Sequence, residues 1–187
     1  MVITVIGMGF VGLTAAVGFA AKGHQVYGIE KNDARRHCIE NGELPFFEPE
    51  MQEYLAQTLN RNFYIQKEQN GAVESSDCVF YCVGTPVGEN GCADLNFLTV
   101  AIKETLSILP KNSGTTLVVK STVPPGTLRD RVLPLVCQSG LTPGKDVELA
   151  NNPEFLREGK CWDDFINADR LVIGAFTDRG YTRGKSV

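Results

Sequence analysis

The stretch Val2-Ile3-Thr4-Val5-Ile6-Gly7-Met8-Gly9-Phe10-Val11-Gly12 opens the chain, and its reading decides the fold. An apolar run of strand type feeds three glycines in a G-x-G-x-x-G string, after which apolar positions Val11, Ala15, Ala16, Phe19 and Ala20 recur at helical spacing. A second apolar run, residues 25–29, closes on Glu30. Strand, glycine turn, helix, strand and terminal acid together form the dinucleotide-binding pattern, which the glycines alone would not establish. Gly7 allows the tight turn, Gly9 lets the backbone approach a pyrophosphate, and Gly12 lets the helix lie close to the sheet. With Phe10 and Val11, these glycines form the predicted cofactor cradle, in which free N–H groups at a helix start attract the pyrophosphate. Glu30 is expected to accept hydrogen bonds from ribose hydroxyls and to repel a 2′-phosphate, which selects NAD over NADP. Arg35 is of a type that can accommodate that phosphate, but the acid at the strand end decides.

Working outward, Lys22-Gly23-His24 supplies a helix stop, and Asn32 or Asp33 can cap a helix over residues 34–40. The loop at residues 43–49 sets two prolines around Phe46 and Phe47, so it either packs under the following helix (residues 50–59) or lines a pocket. A short strand at 63–65 and a brief helical crossing at 70–76 precede the continuous apolar run 78–83, of the kind buried on both faces of a parallel sheet. Ligands of open α/β sheets lie beyond the carboxyl ends of the strands, so Thr85 and Pro86 are expected beside the dinucleotide. A polar loop spans residues 88–94, where Asp94 can cap a helix over 95–109. Strands follow at 115–120, 147–150 and 170–173, with a helix through Cys137 between the first two. Strand and helix alternate throughout, which predicts a doubly wound, mostly parallel α/β sheet with helices on both faces.

The 187 residues suit one large domain or one domain with an extension, and a net charge of −4 gives no electrostatic footprint for nucleic acid. No apolar run approaches a bilayer span, and Met1 leads directly into a core strand, so no membrane partner and a cytoplasmic location are expected. The six cysteines lack C-x-x-C spacing, and neither His24 nor His37 stands where it could complete a zinc site, so free thiols are expected and no metal.

With the strand ends in view, residues 1–174 resemble the N-terminal NAD-binding domain of the UDP-glucose/GDP-mannose dehydrogenase family. The resemblance rests on Gly7 to Gly12, Val83-Gly84-Thr85-Pro86, Lys120-Ser121-Thr122-Val123-Pro124-Pro125-Gly126-Thr127 and Asn152-Pro153-Glu154-Phe155-Leu156-Arg157-Glu158-Gly159. The last, with Asp169-Arg170-Leu171-Val172-Ile173-Gly174, looks most like the UDP-glucose 6-dehydrogenases, with GDP-mannose dehydrogenase next. The resemblance implies oxidation of a sugar C6 alcohol through a cysteine-trapped aldehyde to a carboxylate, with two NAD reduced. It places Val11, Glu30, Arg35, Thr85, Thr122 and Glu158 at NAD. It places Glu154, Phe155, Leu156, Arg157 and Glu158 at the nucleotide sugar, with Glu154 and Glu158 as acid/base groups and Thr122 helping to hold a water. Full-length members are expected to be homo-oligomers.

The residues themselves make this chemistry reasonable, because hydride leaves C6 only as the alcohol proton is removed. Glu154 and Glu158 are four apart, so on a helical turn they would share a face and raise at least one pKa. Three features depart from the family. Arg35 stands where a lysine is common. The central helix and the second domain, which carry a lysine, an asparagine and the nucleophilic cysteine, are absent from the sequence, and Cys161 does not occupy the nucleophile's position. The polar residues 175–187 lack helical periodicity, so a flexible or truncated end is expected.

Overall fold

The computed structural model describes residues 1–88 and 91–186. Glu89 and Asn90 of the expected polar loop, and Val187 of the expected flexible end, lie outside the described residues. Among the described residues, seven strands form one sheet in the order β3-β2-β1-β4-β5-β6-β7. In sequence these are β1 (Val2–Ile6), β2 (Gln25–Ile29), β3 (Phe63–Gln66), β4 (Cys78–Tyr81), β5 (Thr115–Val119), β6 (Val147–Asn151) and β7 (Gly174–Ala175). The first six run parallel, and β7 pairs antiparallel with β6 through Ala150–Ala175 and Asn151–Gly174. The doubly wound, mostly parallel expectation therefore holds.

Period-two alternation sorts the strand side chains onto two buried faces. Ile3, Val5, Cys78, Phe80, Val118 and Ala150 join Leu13 and Phe19 of α1 (Phe10–Ala21), Met51 and Leu55 of α3 (Pro49–Thr58) and Trp162 of α6 (Cys161–Ile166). Ile6, Val79, Tyr81, Leu117, Val119 and Leu149 meet α4 (Asn96–Ile108) and α5 (Leu133–Gln138) on the other face. Burial on both sides is why these strands read as unbroken apolar runs. The strand order reverses at β1, between β2 and β4, and the glycine turn follows β1 at that reversal.

Local signals set the helix ends. Asn32 accepts from Arg35 N–H at 2.9 Å and caps α2 (Asp33–Glu40). Asp94 Oδ1 accepts from Asn96 N–H at 2.9 Å at the start of α4. Ahead of α5 the chain makes a wide helical turn, Leu128–Val132, beside Pro134, which has no N–H to give to the preceding turn. Leu44 and Phe46 of the 43–49 loop pack against the core, Glu48 is buried, and Phe47 faces solvent.

Three expectations need correction. Residues 170–173 form no strand: the Asn152 side-chain amide donates to Val172 O at 2.9 Å, and strand pairing begins only at Gly174. Residues 175–187 are no loose polar tail through their described length, because Ala175 ends β7 and Asp178–Lys185 forms α7. That helix lacks an apolar stripe because polar contacts hold it. Thr177 Oγ1 caps it by accepting from Gly180 N–H at 3.0 Å and donates to the buried Glu148 carboxylate at 2.5 Å. Arg179 and Arg183 donate to Gly114 O at 3.3 and 3.1 Å, which fastens α7 to the start of β5. Finally, residues 152–157 are non-helical and turn only at 158–159, where Gly159 has φ +77°. A spacing of four therefore does not put Glu154 and Glu158 on one helical face.

Candidate active site at the carboxyl edge of the sheet

The glycine turn is built by close approach. Gly7, at φ +91°, would place a Cβ 2.8 Å from Cys82 O, and a Cβ on Gly12 would lie 1.8 Å from Gly7 O. Both positions are closed to any side chain. Gly9 differs: a Cβ there meets nothing within 4 Å, so the hydrogen faces open space at the start of α1. No acidic residue occupies the first turn of that helix, and Gly9 offers no side-chain cap, which leaves the N–H groups of Phe10, Val11 and Gly12 for an anion. Such a cradle fits a pyrophosphate.

Glu30 stands at the end of β2 and is only 6% exposed. Its Oε2 accepts from Met8 N–H at 3.0 Å and from Arg35 at 3.1 Å, and its Oε1 accepts from Asn32 N–H at 2.8 Å. The carboxylate is thereby fixed against the glycine turn, with Arg35 lying over it from solvent. Among the described residues, these groups suit the ribose end of a dinucleotide.

Farther along the edge, Thr85 Oγ1 donates to Thr122 O at 2.8 Å and joins the loops after β4 and β5. Ser121 Oγ reinforces the junction by donating to Val83 O at 2.7 Å. Thr122 and Pro86 are exposed beyond the strand ends. The extended run after β6 lies alongside, with Glu154 half-buried and its Oε2 accepting from Leu156 N–H at 2.7 Å. Phe155 is exposed beneath the Arg170 guanidinium, 5.8 Å from the ring centroid. Arg157 turns toward α6: its side chain holds Asp164 in a fork at 3.0 and 2.5 Å, and its N–H donates to the same carboxylate at 2.9 Å. These bonds pull the Asp164 carboxyl down to about 2. Glu158 is exposed in the following turn.

A cavity of about 530 Å³ opens beside this run, lined by Lys120, Asn152 and Glu154, by Phe19 of α1 and by Lys22, which follows that helix. It lies away from the glycine turn, so the cofactor cradle and the cavity are separate spaces along one sheet.

The sequence profile of the UDP-glucose/GDP-mannose dehydrogenase family, NAD binding domain, matches residues 1–187. The chain belongs to this family. It is 38% identical over 185 residues to the UDP-glucose 6-dehydrogenase of Rhizobium meliloti, covering 98% of this chain and 41% of that protein. It is 36% identical over 180 residues to the GDP-mannose 6-dehydrogenase of Pseudomonas syringae, covering 94% of this chain and 41% of that protein. A crystal structure of a ternary complex of GDP-mannose dehydrogenase from Pseudomonas aeruginosa superposes with a TM-score of 0.94 at 33% identity, covering 100% of this chain and 43% of that one. The chain thus spans about two fifths of the length of these relatives.

The cofactor of this dehydrogenase domain is NAD. Gly7, Gly9 and Gly12 with the start of α1 would hold its pyrophosphate, and Glu30 its ribose; when bound, it supplies a hydride acceptor. No helix among the described residues of the domain is long and apolar enough to cross a membrane.

Two further groups at the edge carry no role in the sequence reading. Lys120, just past the end of β5, is buried and bonded to Asn152. The available signal was a lysine ending an otherwise apolar strand. Glu48 and Cys161 form a buried pair that ties the 43–49 loop to α6. Burial pushes the Cys82 and Cys161 thiols up to about 12, which favours the protonated form of both near neutral pH.

Proposed function

We propose that the chain is the cofactor-binding part of a nucleotide-sugar 6-dehydrogenase that oxidises the C6 alcohol of UDP-glucose to the carboxylate of UDP-glucuronate, a cytoplasmic step in the supply of sugar acids for polysaccharides. One observation carries this reading: the extended run with Glu154 lies on the same sheet edge as the Thr85–Thr122 junction, beyond the glycine turn. In this reading Val11, Thr85, Pro86 and Thr122 flank the cofactor. Phe155, Leu156 and Arg157 lie along the sugar nucleotide, with the Arg157 backbone available while its side chain is committed to Asp164. Glu154 takes up the alcohol proton as hydride leaves C6, because a carboxylate beside the reacting carbon lowers that barrier. Thr122 steadies the water that hydrolysis consumes, and Glu158 serves proton transfer at the mouth of the site. With Cys82 and Cys161 both protonated, the thiohemiacetal step is assigned to neither thiol.

GDP-mannose is the second reading, favoured by nearly equal identity to the two relatives, 38% and 36%. Calorimetric titration separates the steps. Saturable binding of NAD, with NADP much weaker, is expected. UDP-glucose is then expected to bind the NAD-loaded chain more tightly than GDP-mannose. NADP preference would overturn the cofactor geometry argued from Glu30, and the reverse sugar order would select the second reading.

A further inference from the structure

A buried lysine follows β5 directly. Lys120 is 5% exposed, and its Nζ donates to Asn152 Oδ1 at 3.0 Å. Asn152 is itself buried; its backbone N–H donates to Val119 O at 2.9 Å and its side-chain amide to Val172 O at 2.9 Å. The ladder between β5 and β6 stops at Asn151, and β7 begins only at Gly174. Past the Asn151–Gly174 pair, a chain of side-chain bonds from Lys120 through Asn152 to Val172 O continues the link between these segments.

Burying an ammonium costs several kcal/mol even after relaxation, and an apolar side chain of similar shape would fill this space without that penalty. This ammonium holds the Asn152 side chain. The ionisable groups facing it are Cys82 at the end of β4 and Glu154 beyond β6; burial lowers the Lys120 pKa, and these two neighbours act in the opposite direction. Glu154 follows Asn152 by two residues, so the path set at Asn152 determines where its carboxylate stands.

We propose that Lys120 is a positioning residue which, by gripping Asn152, fixes the course of residues 152–157 and hence the placement of Glu154 in the cavity lining. Its relevance to catalysis rests on the reading of Glu154 as substrate-facing, whereas the tie itself does not.

Native-state hydrogen exchange on the wild-type chain and on Lys120→Met, Lys120→Arg and Asn152→Ala tests the tie, with calorimetric NAD titration as the control for the separate cradle. In Lys120→Met, the amides of residues 154–157 and 171–173 are expected to exchange about tenfold faster or more, while α1 and the NAD affinity stay as in wild type. Lys120→Arg, which keeps charge and donors, is expected to restore protection. Unchanged exchange in Lys120→Met, or acceleration spread evenly over the sheet, overturns the inference. Should Lys120→Met fail to fold, Asn152→Ala decides: it removes both the acceptor for Lys120 and the donor to Val172 O, and wild-type exchange in that variant overturns the tie. Failure of the wild-type chain to bind NAD would instead strike at the cofactor reading and leave the exchange comparison intact.

Discussion

Cys161 donates both its backbone N–H and its thiol to one oxygen of Glu48, at 3.1 and 3.0 Å. The Thr14 hydroxyl of α1 lies 3.1 Å from the same sulfur and donates to Phe10 O at 2.7 Å. Phe46, two residues before Glu48, meets Phe10 edge-on at 6.3 Å. The helix that starts the cofactor cradle, the 43–49 loop and the first turn of α6 are thus joined at one buried point. The run from Asn152 to Lys160 is consequently fastened at both ends, by Lys120 at one and by this knot at the other.

Removing the Glu48 carboxylate leaves a buried N–H and a buried S–H without an acceptor. Unsatisfied buried donors cost about 1–3 kcal/mol each, so Glu48→Ala is expected to lower unfolding stability by roughly 2–4 kcal/mol. Glu48→Gln keeps an acceptor oxygen and is expected to stay within about 1 kcal/mol of wild type. Urea unfolding of the two variants checks the contrast, and equal losses would show that the charge, not the hydrogen bonds, holds the knot.

Alkali should unfold the domain through its buried thiols. Burial pushes Cys78, Cys82 and Cys161 up to about 12 in the native state, from an ordinary 9.0. The unfolded chain therefore releases these protons first as pH rises above 9, and stability falls between about 9 and 12, by about 1.4 kcal/mol per pH unit for each thiol. Lys120 acts with the opposite sign, because burial lowers its pKa from 10.5 and the folded chain gives up that proton first. Three thiols outweigh one lysine, so the net slope is negative. Urea midpoints under reducing conditions at pH 8, 9 and 10 should decline, and Cys82→Ala should flatten the decline by about a third of the thiol contribution.

How much of this was legible in the sequence depends on what holds each piece. β1, β4 and β5 were readable because both their faces are apolar and their ends carry turn residues. α7 was not, because its stability comes from the Thr177 cap and from Arg179 and Arg183 gripping a carbonyl, none of which leaves a periodic apolar trace. The order of motifs brought Thr85, Thr122 and Glu154 to one edge correctly. The spacing of Glu154 and Glu158 misled, since four residues mean a shared face only in a helix, and here the chain is extended with a left-handed Gly159 at its turn. The Lys120–Asn152 bond leaves no trace in the sequence, because the two residues are 32 apart and only the tertiary packing brings them together.

Acid should loosen the other side of the same run. The Arg157 fork holds the Asp164 carboxyl near 2, below its ordinary 3.8. The contribution is fully present above about 4 and is lost as pH falls through 3.8 toward 2, when the folded state must also take up the proton. Hydrogen exchange or limited proteolysis at pH 6 and pH 3 should show residues 157–164 opening at the lower pH. Asp164→Asn should be open at both and insensitive to pH across that window. Equal protection at the two pH values in wild type would refute the role of the pair.

The three glycines of the turn should separate folding from cofactor binding. Gly12→Ala drives a Cβ to 1.8 Å from Gly7 O, and Gly7 combines φ +91° with a 2.8 Å approach to Cys82 O. Neither clash can relax without moving backbone, so both substitutions are expected to destabilise the domain by several kcal/mol, in the range of about 3 or more that marks a broken special contact. Gly9 has φ −68° and ψ −173°, an extended conformation open to any residue, and its Cβ would meet no protein atom within 4 Å. Gly9→Ala should therefore fold with unchanged or slightly raised stability, because alanine restricts the unfolded chain by about 0.4–1 kcal/mol. Its methyl group would stand where the pyrophosphate has to approach, and NAD affinity should fall at least about tenfold, a loss of about 1.4 kcal/mol. Thermal unfolding and NAD calorimetry on the same sample read both quantities. A Gly9→Ala chain that binds NAD as wild type does would remove the glycine turn from the cofactor site while leaving its place in the fold untouched.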